Sequence, residues 1–212
     1  MTKGSKVHEI EGNKLISEVL TSERDVLAAK QLLHQVYVHE LGWKISVENP
    51  SNLRTLNVDG LPYLEDKFEQ EATWLGIKSG SRVVGTLRVL LPKTGRFEIE
   101  EYKALPDFLK TDGKSCEINR LALDSSFGDE RVFPLLLEKT FIHCISRGFK
   151  YLFTSIQFPQ PGDFFLSLGM KKVEGGDFKY TDFDPHPVSI LYFDLSDKLR
   201  NEKTINFLSS LT

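Results

Sequence analysis

An acid, an amide and a guanidinium sit inside the otherwise apolar run Cys116-Glu117-Ile118-Asn119-Arg120-Leu121-Ala122-Leu123, and a long amphipathic pattern follows it. The apolar residues suit a buried strand. An unpaired carboxylate there costs on the order of several kcal/mol, so the fold must give Glu117 a partner or an open cleft. Side chains alternate along a strand, which places Glu117 and Asn119 on one face and Cys116, Ile118 and Arg120 on the other. Bringing Glu117 and Arg120 to one edge takes a local twist or bulge. The run reads either as a catalytic strand or as a structural ion pair at a strand end.

With 212 residues, 40% of them hydrophobic and 11% aromatic, the chain has material for one sizeable core. We expect one domain over 1–212, with a core at 14–195 and a tail at 196–212. A formal charge of -3 from 27 basic and 30 acidic residues supplies no overall field for nucleic acid, which is not expected as a partner. Cys116 and Cys144 lie far from any Cys-x-x-Cys or Cys/His ligand spacing, so neither a metal site nor a disulfide framework is expected, and a reducing cytoplasm suits them. Met1 to Asn13 is polar, and no run approaches the roughly 20 apolar residues of a membrane span, so neither secretion nor a span is expected.

Lys14 to Leu20 reads as a first strand, and Thr21-Ser22-Glu23 caps a helix that runs to about Glu40 and stops at Gly42. Lys44 to Pro62 shows no periodicity and reads as one long loop, a lid or binding segment. Thr73 to Ile77 and Arg82 to Leu91 form a hairpin through Ser79-Gly80-Ser81. Phe97 to Leu109 reads as a helix, and the turn Asp112-Gly113 leads to the Cys116 strand. A second long helix covers roughly Glu130 to Arg147 with Phe133, Leu136, Leu137, Thr140, Phe141, Cys144 and Ile145 on one face. Tyr151 to Ile156 is a buried strand, Gly162 to Leu168 a short helix, and Lys172 to Asp182 with Pro187 to Leu195 a closing antiparallel pair. The predicted fold class is α/β (α+β), a mixed sheet flanked by helices. The tail from Ser196 to Leu211 is helix-like and packs on its own domain or on a neighbour.

Five pieces, in this order and spacing, carry a resemblance to a known superfamily over about Leu15 to Leu195. They are Val36-Tyr37-Val38-His39-Glu40-Leu41-Gly42-Trp43, Asp66-Lys67-Phe68-Glu69, Val84-Gly85-Thr86-Leu87-Arg88, Glu117-Ile118-Asn119-Arg120 and Phe165-Leu166-Ser167-Leu168-Gly169-Met170. The chain resembles the GCN5-related N-acetyltransferases, and more closely their branch of acyl-homoserine lactone synthases and N-acyl amino acid synthases. The resemblance implies a mostly antiparallel central sheet and transfer of an acyl group from a phosphopantetheine thioester to a small-molecule amine, with acyl carrier protein or acyl-CoA as co-substrate and no tightly bound cofactor. It implies that Glu117 helps deprotonate the amine, which cannot attack a thioester while its lone pair is protonated; a route through water would tolerate a carboxylate of ordinary pKa. It places Arg88, Arg120, Asp66 and Glu69 in a charged cluster beside the amine and Trp43 at the base of the lid, where core packing is the plainer role. It also implies that the strands at Leu121 to Leu123 and from Tyr151 splay apart to admit a pantetheine arm, with amides around Gly128 and Asp129 facing phosphate.

The chain departs from that pattern in three places. Ordinary acetyl-CoA users carry Arg/Gln-x-x-Gly-x-Gly/Ala at the phosphate loop, whereas Ser125-Ser126-Phe127-Gly128-Asp129-Glu130-Arg131 has one glycine and two acids, expected to crowd and repel a pyrophosphate. A carrier-bound donor with a single phosphate suits it better, and Arg147, Lys150, Lys171 and Lys172 are either a patch for an acidic carrier or solvated surface. Leu33 stands where lactone synthases carry an arginine, so an amino acid or other amine fits better than lactone formation. The proton-donating tyrosine has no clear match, Phe164 and Phe165 occupying its helix and Tyr180 being a remote candidate. The rival readings are an acetyl-CoA-dependent acetyltransferase of a small amine and a non-catalytic ligand-binding protein of the same fold.

Phe153 and Phe165, with Phe149, Phe158 and Phe164, either line an acyl tunnel or are core. His34, His39 and His143 share no metal-ligand spacing and read as surface or packing residues. Asp184-Pro185-His186-Pro187 stiffens a loop that could present His186 to the cleft.

Overall fold

The computed structural model describes residues 7–8, 14–91, 96–110, 113–159, 161–181, 184 and 186–212. Most of the polar stretch up to Asn13, Asp112 of the expected turn, and Asp182 and Pro185 near the last strands lie outside the described residues.

Strands β1 (Val7–His8), β2 (Leu15–Leu20), β5 (Ala72–Ser79), β6 (Arg82–Leu90), β7 (Ser115–Leu123), β8 (Tyr151–Gln157), β9 (Lys171–Phe178) and β10 (Val188–Asp194) form one sheet in the order β1-β2-β5-β6-β7-β8-β10-β9. Every neighbouring pair is antiparallel except β7 with β8. That parallel pair is short: Ser115, Cys116 and Glu117 face Tyr151, Leu152 and Phe153, and the ladder ends there. The strands diverge beyond Glu117.

Helix α1 (Glu23–His34) covers one face of the sheet, its N-cap Ser22 accepting from the Asp25 amide at 3.1 Å. It continues to Glu40, as its pattern predicts, but as a π-helix over Gln35–Glu40. The wider turn inserts a residue next to the site, a common use of this geometry. Helix α3 (Val132–Ser146) covers the other face, burying Leu136, Leu137, Phe141 and Cys144 against β2, β5, β6 and β7. The approach is close at Gly85, where a Cβ would lie 2.5 Å from Val132 Cγ1. Gly85→Ala is therefore expected to cost about 1–3 kcal/mol in urea unfolding, as overpacking does; a loss below about 0.5 kcal/mol would show that the start of α3 gives way freely.

Two readings of the sequence are corrected. Lys44 to Pro62 is not one loop: β3 (Arg54–Val58) and β4 (Leu61–Glu65) form a separate hairpin. Its two-residue turn is Asp59-Gly60, both at positive φ (51° and 80°), the geometry that Asp-Gly favours. Phe97 to Leu109 is not a continuous helix but a 3-10 turn at Ile99–Glu101 and a single turn, α2 (Asp107–Lys110). Pro106 between them holds Leu105 away from helical backbone and has no N–H to donate.

The short helix α4 (Gly162–Ser167) lies between β8 and β9 as expected. The tail forms α5 (Lys198–Ser210), which packs on its own domain: Leu208 is buried, Thr204 Oγ1 donates to the Leu168 carbonyl at 3.0 Å, and Asn201 Nδ2 donates to that of Leu195 at 2.7 Å.

Candidate active site

The bulge that the Glu117 strand requires is present. Arg88 faces Asn119 across β6 and β7 while Thr86 faces Ala122, so Arg120 and Leu121 together oppose Leu87 alone. Arg120 takes φ 54°, a left-handed conformation that a side chain adopts at a cost and that clusters at functional sites. The extra residue turns Arg120 onto the face of Glu117 and Asn119.

A buried charge network results. Arg88 Nη1 donates to both Asp66 oxygens at 2.8 Å and to Glu69 Oε1 at 3.3 Å, its Nη2 to Glu98 Oε2 at 2.6 Å, and its Nε to Asn119 Oδ1 at 2.8 Å. Arg120 Nη2 donates to Asp66 Oδ2 at 2.8 Å and also reaches Glu98. Asn119 Nδ2 is shared between Glu98 Oε2 at 2.9 Å and Glu117 Oε1 at 2.8 Å, and the Ile99 amide donates to Glu117 Oε2 at 3.3 Å. The Arg88 side chain is 0% exposed and that of Arg120 9%, so both guanidinium groups meet their carboxylates away from bulk water.

These surroundings separate the carboxyls. Burial pushes the Glu117 carboxyl from its ordinary 4.5 up to about 8, and Glu98 pushes the same way, against the hydrogen bonds from Asn119 and Ile99 and the Arg88 charge. Burial works against ionisation of Asp66 too, but Arg88 and Arg120 outweigh it and hold that carboxyl well below the usual range. Glu117 therefore keeps its proton to higher pH than an ordinary carboxyl does.

Along one sheet row, Leu20, Trp74, Arg88 and Asn119 are paired in register from β2 to β7. At its outer end lies an open cavity of about 430 Å³ whose lining includes Leu20, Lys30, Glu69 and Trp74. Glu69 joins it to the network, its Oε2 taking Lys30 Nζ at 2.9 Å and Trp74 Nε1 at 3.3 Å while Oε1 faces Arg88.

Comparison with known proteins decides the family. The profile of the N-acyl amino acid synthase FeeM family matches residues 28–175. This chain belongs to that family. Among solved structures it is similar to FeeM, an N-acyl amino acid synthase from uncultured soil microbes, at TM-score 0.65 and 15% identity over 87% of this chain and 92% of that one. It is also similar to the CoA-dependent acyl-homoserine lactone synthase BjaI, determined with SAM and isopentyl-CoA, at TM-score 0.66 and 15% identity over 97% and 90%. A third similar structure is an N-acetyltransferase from Lactobacillus plantarum, at TM-score 0.55 and 16% identity over 85% and 98%. No curated protein matches. The expected likeness to N-acyl amino acid synthases and the expected fold class hold, and the chain is an N-acyltransferase. Among the described residues no helix is long and apolar enough to cross a membrane.

The remaining positions singled out in this FeeM family chain fall in three places. Trp43 is 44% exposed beside the site, its ring 4.4 Å from that of Tyr37, so it is not a core residue. Phe153 and Phe165 are both buried, but in different clusters: Phe153 packs edge-on against Phe97 at 4.8 Å, and Phe165 lies in the core beneath α3. Leu121 and Leu123 are half-buried on the part of β7 that has left β8. At the start of α3, Gly128 takes φ 67°, and a Cβ there would meet no atom within 4 Å. Nor is Asp129 an uncompensated acid, since it accepts from Arg131 Nε at 2.9 Å.

The sequence reading missed Glu98 and Lys30 and holds Tyr180 as a remote candidate. The Tyr180 hydroxyl is hydrogen-bonded to Ser155 Oγ on the diverging half of β8. Burial, with the nearby charges of Glu98 and Glu117, pushes its pKa up and keeps it protonated. His186 is exposed, and His34 is buried edge-on against His39 at 5.1 Å.

Proposed function

We propose that this family member transfers an acyl chain from a phosphopantetheine thioester to the amine of an amino acid or similar small molecule, with Glu117 as proton acceptor. The observation that carries this reading is the position of Glu117 at the last paired residue before β7 and β8 part. A thioester lying in that gap would present its carbonyl carbon beside the carboxyl. The ammonium first gives one proton to the ionised form of Glu117, directly or through a water, the freed nitrogen forms the C–N bond, and the C–S bond breaks to release a thiolate that takes up the second nitrogen proton. Tyr180, kept protonated, is the hydroxyl available to return a proton to sulfur. Asp66, Glu69 and Glu98 are answered by Arg88, Arg120 and Lys30, whose other partner Glu65 also holds Arg54, so the network is balanced in charge and Glu117 is the carboxyl left to meet the amine.

For the donor we propose the carrier-bound form. Gly128 is the one glycine at the start of α3, and Asp124 and Asp129 in that turn already hold Arg82 and Arg131, so neither the repeated glycines nor free cations that would cradle more than one phosphate are present in it. The test is mass spectrometry of the protein with an amino acid pool and acyl carrier protein, long-chain acyl-CoA or acetyl-CoA as donor. A new amide from the carrier-bound donor is expected. Amide from long-chain acyl-CoA alone would overturn the carrier, amide from acetyl-CoA alone would select an ordinary acetyltransferase, and no amide from any donor would overturn the enzymatic reading.

A further inference from the structure

Glu98 belongs to none of the five sequence pieces that carry the family likeness, and it comes from the irregular segment where a helix is expected. Its carboxylate is 5% exposed and fully committed: Oε2 accepts from Arg88 Nη2 and Asn119 Nδ2, and Oε1 from Arg120. Asn119 lends its single amide group to Glu98 and Glu117 at once, at 2.9 and 2.8 Å, and the residue after Glu98 donates its backbone N–H to Glu117. Glu98 therefore meets Glu117 through a shared donor, an adjoining amide and a common pair of guanidinium groups.

We propose that Glu98 is a positioning residue of the reaction, whose carboxylate fixes Asn119 and both arginines and so sets the charge against which Glu117 takes and releases its proton. The proposal rests on the reading of Glu117 as proton acceptor. The other groups facing Glu117 do not duplicate this role. Arg88 and Arg120 are cations that Glu98 itself neutralises, and Asp66 and Glu69 face Arg88 rather than Asn119. Tyr180 and Tyr37 are pushed up by burial and stay neutral, as does the buried Cys116 thiol on the same strand. Tyr102 is likewise pushed up, and its hydroxyl is spent on Ser51 at 2.9 Å. That leaves Glu98 as the negative charge tied through Asn119 to Glu117.

The experiment uses 13C-labelled glutamate in the full chain, following the Glu117 carboxyl by NMR against pH in wild type and Glu98→Gln, with Glu117→Gln for assignment. Removing the Glu98 charge should leave the arginines in excess and lower the Glu117 midpoint by at least about one pH unit. The acid limb of kcat/KM should move down with it. An unmoved Glu117 midpoint overturns the proposal, and so does an activity loss equal at every pH with no shift in titration, which is what a merely structural role gives. A shifted titration with an unmoved activity profile removes Glu117 as proton acceptor and with it the part of Glu98 in the reaction, leaving only their coupling, whereas an unmoved titration overturns the coupling itself, so the two failures are told apart. Should Glu98→Gln not fold, the wild-type spectrum decides: the Glu98 signal should bend at the pH where Glu117 titrates, and a flat signal there overturns the proposal.

Discussion

Glu117→Gln should lose turnover by about 10²–10⁴-fold, the range that removal of a general base gives, while becoming more stable than the wild type at alkaline pH. The sign of the second effect follows from proton counting. An unfolded Glu117 gives up its proton near its ordinary 4.5 and the folded one near 8, so between those values the native state holds one proton more. Stability due to this group is full below about 4.5 and falls as pH rises through 8. By then the folded chain carries an ionised buried carboxylate at a cost on the order of 5 kcal/mol. The amide cannot ionise. Whatever fixed difference the substitution introduces, melting temperatures of variant and wild type should separate in the variant's favour between pH 5 and pH 9. Parallel melting curves across that range would show that Glu117 ionises as an ordinary surface acid does. Full activity in the variant would remove it from the chemistry.

Arg88→Met should be the most damaging single change in the network. It leaves Asp66 and Glu98 buried with only Arg120 to answer both, and stripping one partner from a buried ion pair costs about 3–5 kcal/mol. For a chain of this length that corresponds to a fall of roughly 6–20 °C in melting temperature. Lysine should not restore it, because a single ammonium cannot donate along the three directions taken by Asp66, Glu98 and Asn119. The deficit should narrow in acid. In the wild type the depressed Asp66 carboxyl contributes stability above the usual carboxylate range that is lost as pH falls below it, whereas in the variant Asp66 is free to accept a proton. Thermal melts at pH 5 and pH 8 read both effects, and a variant that melts within about 2 °C of the wild type at pH 8 would show that Arg88 does not hold the network.

The parts of this molecule that a pattern can specify were legible. Periodicity places the two long helices, the hairpin of β5 and β6, the Cys116 strand and the closing pair, because each follows from neighbours three, four or two positions apart. The need for a bulge was also readable, since Glu117 and Arg120 stand on opposite faces of any regular strand. Its position was not, because register depends on the partner strand. The β3–β4 hairpin was lost in a segment whose alternation is weak, although Asp59-Gly60 between Leu56-Asn57-Val58 and Leu61-Pro62-Tyr63 is the signal that would have found it. Pro106 similarly marks the break in the expected helix. Glu98 carried the faintest trace, an acid held between Phe97 and Ile99 that reads as one polar position of a helix. Its partners Asn119 and Arg120 are more than 20 positions away, and only the folded sheet brings them together.

The bulge at Arg120 gives this site an unusual kind of fragility. Most active residues can be probed by exchanging one side chain for another, but here the meeting of Glu117, Asn119 and Arg120 depends on how many residues lie between Asn119 and Ala122, not only on what they are. Deleting Leu121 would let β7 run straight beside β6 with all its charged side chains still in the sequence. Arg120 would then turn toward the apolar side under α3, away from Asp66 and Glu98, and a chain almost unchanged in composition would have no place to put its own guanidinium.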